Sequence, residues 1–217
     1  MPSLKTPGLS DWDRFWKKEK SKDSPSWSKK RMIQVIHPFL GKGKRILDAG
    51  CGSGFFSKFF CDQGLETTAL DFSRESLRLT EQLTSKKAKV IHKDLLNERL
   101  SASLGNDFDV IFSDGLLEHF PWEQQKQILS NLSSVLSSRG VLITFVPNRF
   151  SFWQVIRPFF MPGIDERPFT LKELVQLNET CHFKVIQMGG VNTLPFKFSP
   201  EPMSSICGML LYTIANK

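Results

Sequence analysis

Arg45-Ile46-Leu47-Asp48-Ala49-Gly50-Cys51-Gly52-Ser53-Gly54, followed directly by Phe55-Phe56-Ser57-Lys58-Phe59-Phe60, is the stretch that decides the fold of this chain. An apolar run ends in an acid, three glycines follow at alternate positions, and aromatic residues then recur at i, i+1, i+4 and i+5. The pattern reads as a strand, a tight turn and a buried helix. Glycines suit such a turn because it asks for φ values that a Cβ disfavours and because a ligand must come close to the backbone. Amides at the helix start, which lack intrahelical partners, would then face that ligand. The spacing disfavours a dinucleotide: counting from Gly50 puts Phe55 where a third glycine or alanine belongs, and counting from Gly52 puts Ser57 there. No Gly-Lys-Ser/Thr follows, which excludes a P-loop.

Outward from this turn, strand-like and helix-like segments alternate, the sign of a parallel sheet covered on both faces. Strands are predicted near 45–50, 66–72, 88–93, 108–113 and 140–147, with helices near 55–63, 73–85 and 122–138. The last of these helices keeps Ile128, Leu129, Leu132, Val135 and Leu136 on one face, with Pro121 at its start and Gly140 after its end. A helix near 170–181 and strands near 182–190 and 206–214 complete the chain. Upstream, Leu9, Trp12, Phe15 and Trp16 share a helical face, and a second helix bearing Trp27 and Met32 ends near Pro38. We read residues 1–40 as an N-terminal helical cap or lid and 41–217 as one globular α/β unit.

Asp48-x-Gly50-x-Gly52-x-Gly54 resembles motif I of class I S-adenosylmethionine-dependent methyltransferases, and the resemblance extends over roughly residues 43–148. It implies a Rossmann-like, doubly wound, seven-stranded sheet, mostly parallel with an antiparallel last strand. It also implies S-adenosylmethionine as cofactor and S-adenosylhomocysteine as product. Asp48, Gly50, Cys51, Gly52 and Gly54 would then flank the cofactor, with Asp48 and Gly50 near its amino-acid and sulfonium end. Asp71, at the carboxyl end of the second strand and 21 residues past Gly50, is placed to accept both ribose hydroxyls. By the same resemblance Phe72 flanks adenine, Asp94 and the neighbouring amide of Leu95 read its edge, and Ser113 meets the methionine end. Ser73 suits the cap of the next helix.

Methyl transfer from a sulfonium needs alignment first, and a base only where the acceptor must lose a proton. Leu116-Leu117-Glu118-His119-Phe120 lies at the mouth of this pocket, and His119 is the candidate catalytic base because imidazole titrates near neutrality. The same segment occurs in relatives with dissimilar acceptors, so packing or methionine positioning is the other reading. In some quinone-pathway O-methyltransferases a further Glu three residues before the Glu-His pair helps hold a divalent cation; Gly115 stands there, and Glu118 with His119 gives too few ligands, so no metal is expected. The Asn-Pro-Pro-Tyr of amino-directed DNA and glutamine methyltransferases is absent, as is the paired-glutamate loop of arginine methyltransferases.

The aromatic, basic stretch Arg149 to Phe160, within a substrate-covering insertion of about 149–169, suits an apolar, lipid-like or aromatic small molecule. Arg149, Arg157 or Arg167 would hold an anionic group, and the segment also suits a membrane interface. O-methylation of such a metabolite is the leading expectation; methylation of RNA or protein and a non-catalytic cofactor-binding module are the alternatives.

A chain of 217 residues with net charge +7 has room for one domain, and its basic residues are spread rather than striped, which argues against nucleic acid as partner. Cys51, Cys61, Cys181 and Cys207 show no metal or disulfide spacing, no signal peptide precedes them, and no apolar run approaches the roughly 20 residues of a membrane span, so a cytoplasmic enzyme with reduced thiols is expected. Oligomeric state is not readable.

Overall fold

The computed structural model describes residues 8–18, 25–96, 100–105, 107–160, 166–193 and 203–217. Seven strands form one sheet in the order β3-β2-β1-β4-β5-β7-β6. They are β1 (Arg45–Ala49), β2 (Glu66–Asp71), β3 (Lys89–His92), β4 (Phe108–Asp114), β5 (Leu136–Pro147), β6 (Lys184–Val191) and β7 (Leu210–Asn216). Strands β1 to β5 pair in parallel, whereas β7 inserts antiparallel between β5 and β6. The order reverses between β1 and β4, so the carboxyl ends of these two central strands open onto the crevice where such sheets take their ligands.

Helices α1 (Leu9–Lys18), α2 (Trp27–Ile36), α3 (Phe55–Asp62), α4 (Arg74–Leu83), α5 (Leu100–Leu104), α6 (Trp122–Val135), α7 (Trp153–Phe160), α8 (Leu171–Thr180) and α9 (Ser204–Cys207) cover the sheet. One face buries Leu47, Leu70, Phe108, Ile111 and Leu142 against α5, α6 and α8. The other buries Ile46, Phe112, Ile143 and Phe145 against α2 and α3, where the predicted aromatic stripe is realised: Phe56 lies 4.5 Å from the Phe112 ring and Phe60 5.4 Å from it. Ser73 caps α4 as expected, accepting from the Ser76 amide.

Three boundaries differ from the sequence reading. The helix expected over 122–138 stops at Val135, because Leu136 turns extended (φ −76, ψ 134) and pairs with Phe108 at the edge of β5. Gly140, expected at the start of the fifth strand, lies inside β5, which already begins at Leu136, and a Cβ there would come within 2.8 Å of the Phe108 carbonyl. Residues 204–207 form α9, so the last strand starts at Leu210 rather than near 206; the Gly208 amide closes that helix on the Ser204 carbonyl at 2.8 Å. The short helix α5 carries too few residues for a readable period.

The two N-terminal helices behave differently. In α2 Met32 and Ile36 are fully buried in the core, while α1 buries no residue completely and lies across the carboxyl edge of the sheet. There Trp12, Phe15 and Trp16 pack on one another with ring centroids 4.8 to 6.3 Å apart.

Candidate functional site

The glycine turn is held by β2. The amides of Gly50 and Cys51 both donate to the Leu70 carbonyl, at 2.8 and 3.1 Å, and Gly54 N donates to Cys51 O at 3.0 Å. Gly50, Gly52 and Gly54 have φ of 74, 52 and 81°, a region that L side chains rarely enter. Asp71 ties the turn from below: Oδ2 accepts from Gly52 N at 3.1 Å and Oδ1 from Ser73 N at 2.8 Å. Four amides of the turn, those of Gly50, Cys51, Gly52 and Gly54, are thus bonded within the protein, and α3 begins at Phe55 directly after them. An ionised carboxylate has about four lone-pair sites, so Asp71 retains capacity for ligand hydroxyls. Burial raises its pKa, and the Ser73 and Gly52 amides work against that rise.

Cys51 faces inward, with Sγ 3.4 Å from Thr80 Oγ1 and 3.8 Å from Ser76 Oγ, so its side chain is a packing element and only its backbone lines the turn. Phe72 is half-buried and its carbonyl accepts from His92 Nε2 at 2.8 Å. Asp94 is exposed, with Oδ1 closing a turn onto Leu96 N at 2.9 Å. Leu95 is buried in the core, its carbonyl held by Asn131 Nδ2 at 2.8 Å. Ser113 is buried and donates to Thr144 Oγ1 at 3.5 Å, toward β5.

Asp48 is buried at the end of β1 and accepts from Ser57 Oγ at 2.6 Å; burial nevertheless pushes its pKa up to about 7. Asp114, at the end of β4, is raised to about 6 by burial, with Lys29 working in the other direction. The carboxyl edge of the sheet thus concentrates acids that burial disfavours in their charged form.

Helix α1 covers this edge. A Cβ at Gly52 would lie 2.9 Å from two ring carbons of Trp16, and Trp12 meets the His119 ring edge-on at 4.8 Å. Asp13 accepts from Ser73 Oγ at 2.5 Å, fastening α1 to the cap of α4.

His119 sits in a 3-10 turn over Leu117–His119 and is only 4% exposed; Glu118 Oε1 lies 3.9 Å from its Nε2. Glu118 is also buried, its Oε2 has no hydrogen-bond partner among the described residues, and its pKa is raised well above the usual value by burial, with Glu166 adding to the rise. One ligand atom from each of Glu118, His119 and Glu166 falls within 4.8 Å of the others, a set that offers three ligand atoms to a metal where the sequence reading counted two. Glu166 comes from the far end of the insertion, where no local pattern marks it, and pairs with Arg157 at 3.0 Å.

The arginines expected to await an anion are engaged otherwise: Arg149 binds Glu173 at 2.8 Å, and Arg167 approaches the same carboxylate at 3.6 Å. Phe150 and Phe152 are about 65% exposed, so they line no enclosed pocket. The side chains of Phe159 and Phe160, and residues 161–165 of the insertion, lie outside the described residues.

Residues 46–140 match the family model described as "Methyltransferase domain". Over 91 residues the chain is 36% identical to a ubiquinone biosynthesis O-methyltransferase of Ralstonia nicotianae, covering 41% of this chain and 37% of that protein. The namesake of Aeromonas salmonicida is 24% identical over 70% of this chain and 68% of its own length. The chain spans less than half the length of most curated relatives it matches. Among solved structures, an S-adenosylmethionine-dependent methyltransferase from Archaeoglobus fulgidus superposes with a TM-score of 0.68 at 19% identity, covering 87% of this chain and 92% of that one. The 1,6-didemethyltoxoflavin-N1-methyltransferase of Burkholderia thailandensis, with bound S-adenosylhomocysteine, gives 0.62 at 20% identity over 96% and 83%. At such identities the likeness establishes the fold, a seven-stranded Rossmann-like sheet.

Proposed function

We propose that this chain is a class I S-adenosylmethionine-dependent methyltransferase that transfers the cofactor's methyl group to an oxygen of a small, largely apolar acceptor. The observation that carries the reading is the bond from Gly52 N to Asp71, which joins the glycine turn of β1 to the acid that ends β2 in one preformed cradle. The residues fit the cofactor. Asp71 keeps lone pairs for the ribose, and the buried Asp48 and half-buried Asp114 suit a ligand carrying a sulfonium and an ammonium group. Phe72 and Asp94 stand at the adenine end, and Ser113 contributes to the wall of the methionine end.

When bound, S-adenosylmethionine supplies a methyl carbon on an already activated sulfur leaving group. What remains for the protein is alignment, worth roughly 7–11 kcal/mol in well-oriented systems. His119 would take the acceptor's proton. Its ring is held by Trp12 and flanked by Glu118, so the acceptor must enter where α1 now packs. His119→Ala is expected to lower kcat by about 10²- to 10⁴-fold with cofactor affinity unchanged. A turnover assay beside a binding titration checks this, and a kcat loss under about fivefold would assign the ring to packing.

An apolar acceptor is favoured by exposed Phe150, Phe152, Val155 and Ile206, which rim the same edge of the sheet and equally suit contact with a membrane surface. Similarity to ubiquinone biosynthesis O-methyltransferases favours oxygen as the methylated atom. No helix among the described residues is long and apolar enough to cross a membrane, and all four cysteines are free.

The test is calorimetric titration with S-adenosylmethionine, S-adenosylhomocysteine and NAD, followed by a labelled-methyl screen of phenolic and lipid-like acceptors. Micromolar binding of the first two ligands alone supports the reading; binding of neither removes it. Binding without turnover on any acceptor would turn it into a cofactor-binding module, and a salt-sensitive complex with RNA would favour a nucleic-acid substrate.

A further inference from the structure

We propose that Asp114 is a specificity-determining residue of the cofactor site, whose carboxylate favours the positively charged sulfonium cofactor over its neutral thioether product and so assists product exchange. The inference rests on the cofactor reading above and deepens it.

Strand pairing sets the position. Asp48 of β1 stands opposite Phe112 of β4, which brings Asp114, two residues further on, level with Gly50 at the start of the glycine turn. The charged groups that couple to it come from three elements, Asp48 from β1, Glu118 from the turn after β4 and Lys29 from α2, and Asp71 of β2 couples in turn to Asp48. Two of these acids are compensated, Asp48 by the Ser57 hydroxyl and Asp71 by two backbone amides. Asp114 accepts no hydrogen bond through its carboxylate from any described residue. The cation facing it, Lys29, also sits 4.0 Å over the Phe55 ring. Glu166 is neutralised by Arg157 and adds no positive charge to spare.

This edge therefore holds more buried carboxylate than positive charge, and burial already pushes Asp114 up to about 6 and Asp48 to about 7. A cationic ligand removes that penalty. During transfer the acceptor's lone pair forms a bond to the methyl carbon, the carbon–sulfur bond breaks, and its electron pair returns to sulfur; the acceptor's proton passes to a base or to water. The sulfonium becomes a neutral thioether while the amino-acid and adenosine parts are unchanged. One unit of positive charge leaves the site with the methyl group, and the attraction to Asp114 goes with it.

The sign with pH follows. Below pH 6 Asp114 is protonated and cannot distinguish the two ligands; above it the carboxylate attracts only the sulfonium. Asp48, pushed up to about 7, titrates in the same window and acts in the same direction, so the Asp114 variant is needed to separate the two. The experiment is calorimetric titration of the full chain at pH 5 and pH 8 with S-adenosylmethionine, S-adenosylhomocysteine and the aza analogue in which a protonated amine replaces the sulfonium. It compares wild type, Asp114→Asn and Asp114→Glu, each checked for folding by thermal melting.

In wild type the ratio of product to cofactor dissociation constants is expected to rise about tenfold from pH 5 to pH 8, the coupling equivalent to one pKa unit, and the aza analogue should follow the cofactor. Asp114→Asn should remove most of that rise, leaving only the share that Asp48 supplies, and Asp114→Glu should restore most of it. A flat ratio in wild type, or the full rise in Asp114→Asn, overturns the proposal while leaving the cofactor assignment intact. Failure of wild type to bind either ligand overturns the cofactor reading and this proposal with it.

Discussion

Asp71→Ala should weaken S-adenosylmethionine binding by at least about 100-fold and lower the melting temperature in the same protein. Hydrogen bonds to a charged acceptor contribute about 1.5–3 kcal/mol each, and two ribose hydroxyls reach about 3–6 kcal/mol, with tenfold in affinity for every 1.4 kcal/mol. The stability loss has a separate cause. Asp71 is buried and satisfies the amides of Gly52 and Ser73, so alanine leaves two donors without partners at about 1–3 kcal/mol each. Asp71→Asn keeps the volume and one acceptor oxygen, so it should lose most of the affinity with a smaller drop in melting temperature. Calorimetry and thermal melting on both variants check this, and unchanged affinity in a folded variant would overturn the placement of the ribose. Because the ribose is common to cofactor and product, both ligands should lose affinity in parallel, whereas substitution at Asp114 separates them.

The contrast between Asp71 and Asp114 shows what the sequence could reveal. Asp71 was legible because it ends an apolar run at a fixed distance from three alternating glycines, and both facts are local. Asp48 and the glycines were legible for the same reason. Asp114 follows Ser113 by one residue, and only the pairing of β4 with β1 and β5 shows that Ser113 turns toward Thr144 while the uncompensated carboxylate is its neighbour. Glu166 was not legible: its approach to Glu118 and His119 depends on the path of the insertion, which no period describes. In the fold, long elements such as α6 were plain, but its end at Val135 depends on Leu136 pairing with Phe108, a non-local contact. The N-terminal aromatic face was recognised as a stripe seeking a surface. That the surface is the glycine turn itself follows only from Trp16 lying over Gly52.

Gly54→Ala should be the most damaging single-methyl change in the chain's cofactor turn, for reasons of both dihedral and space. Gly54 caps α3 at φ 81°, ψ 9°, a left-handed conformation that costs an L residue roughly 1–2 kcal/mol. A Cβ there would sit 2.7 Å from the Thr80 Cα and 2.7 Å from its Oγ1. The first of these is backbone of α4, which cannot swing aside as a flexible side chain would, so α3 must shift away from α4 at a further cost of about 1–3 kcal/mol. At about 2–4 °C per kcal/mol for a chain of this size, a fall in melting temperature of roughly 5–15 °C is expected. Gly43→Ala is the matched control, because Gly43 has φ 79° with nothing within 4 Å of its Cβ position and so isolates the dihedral cost. If the two variants melt together, the contact between the glycine turn and α4 is looser than the structure places it. If Gly54→Ala falls well below Gly43→Ala and loses cofactor affinity as well, the close approach of α3 to α4 holds the turn in its binding shape, since Thr80 and Ser76 of α4 also contact Cys51 and the Gly52 carbonyl.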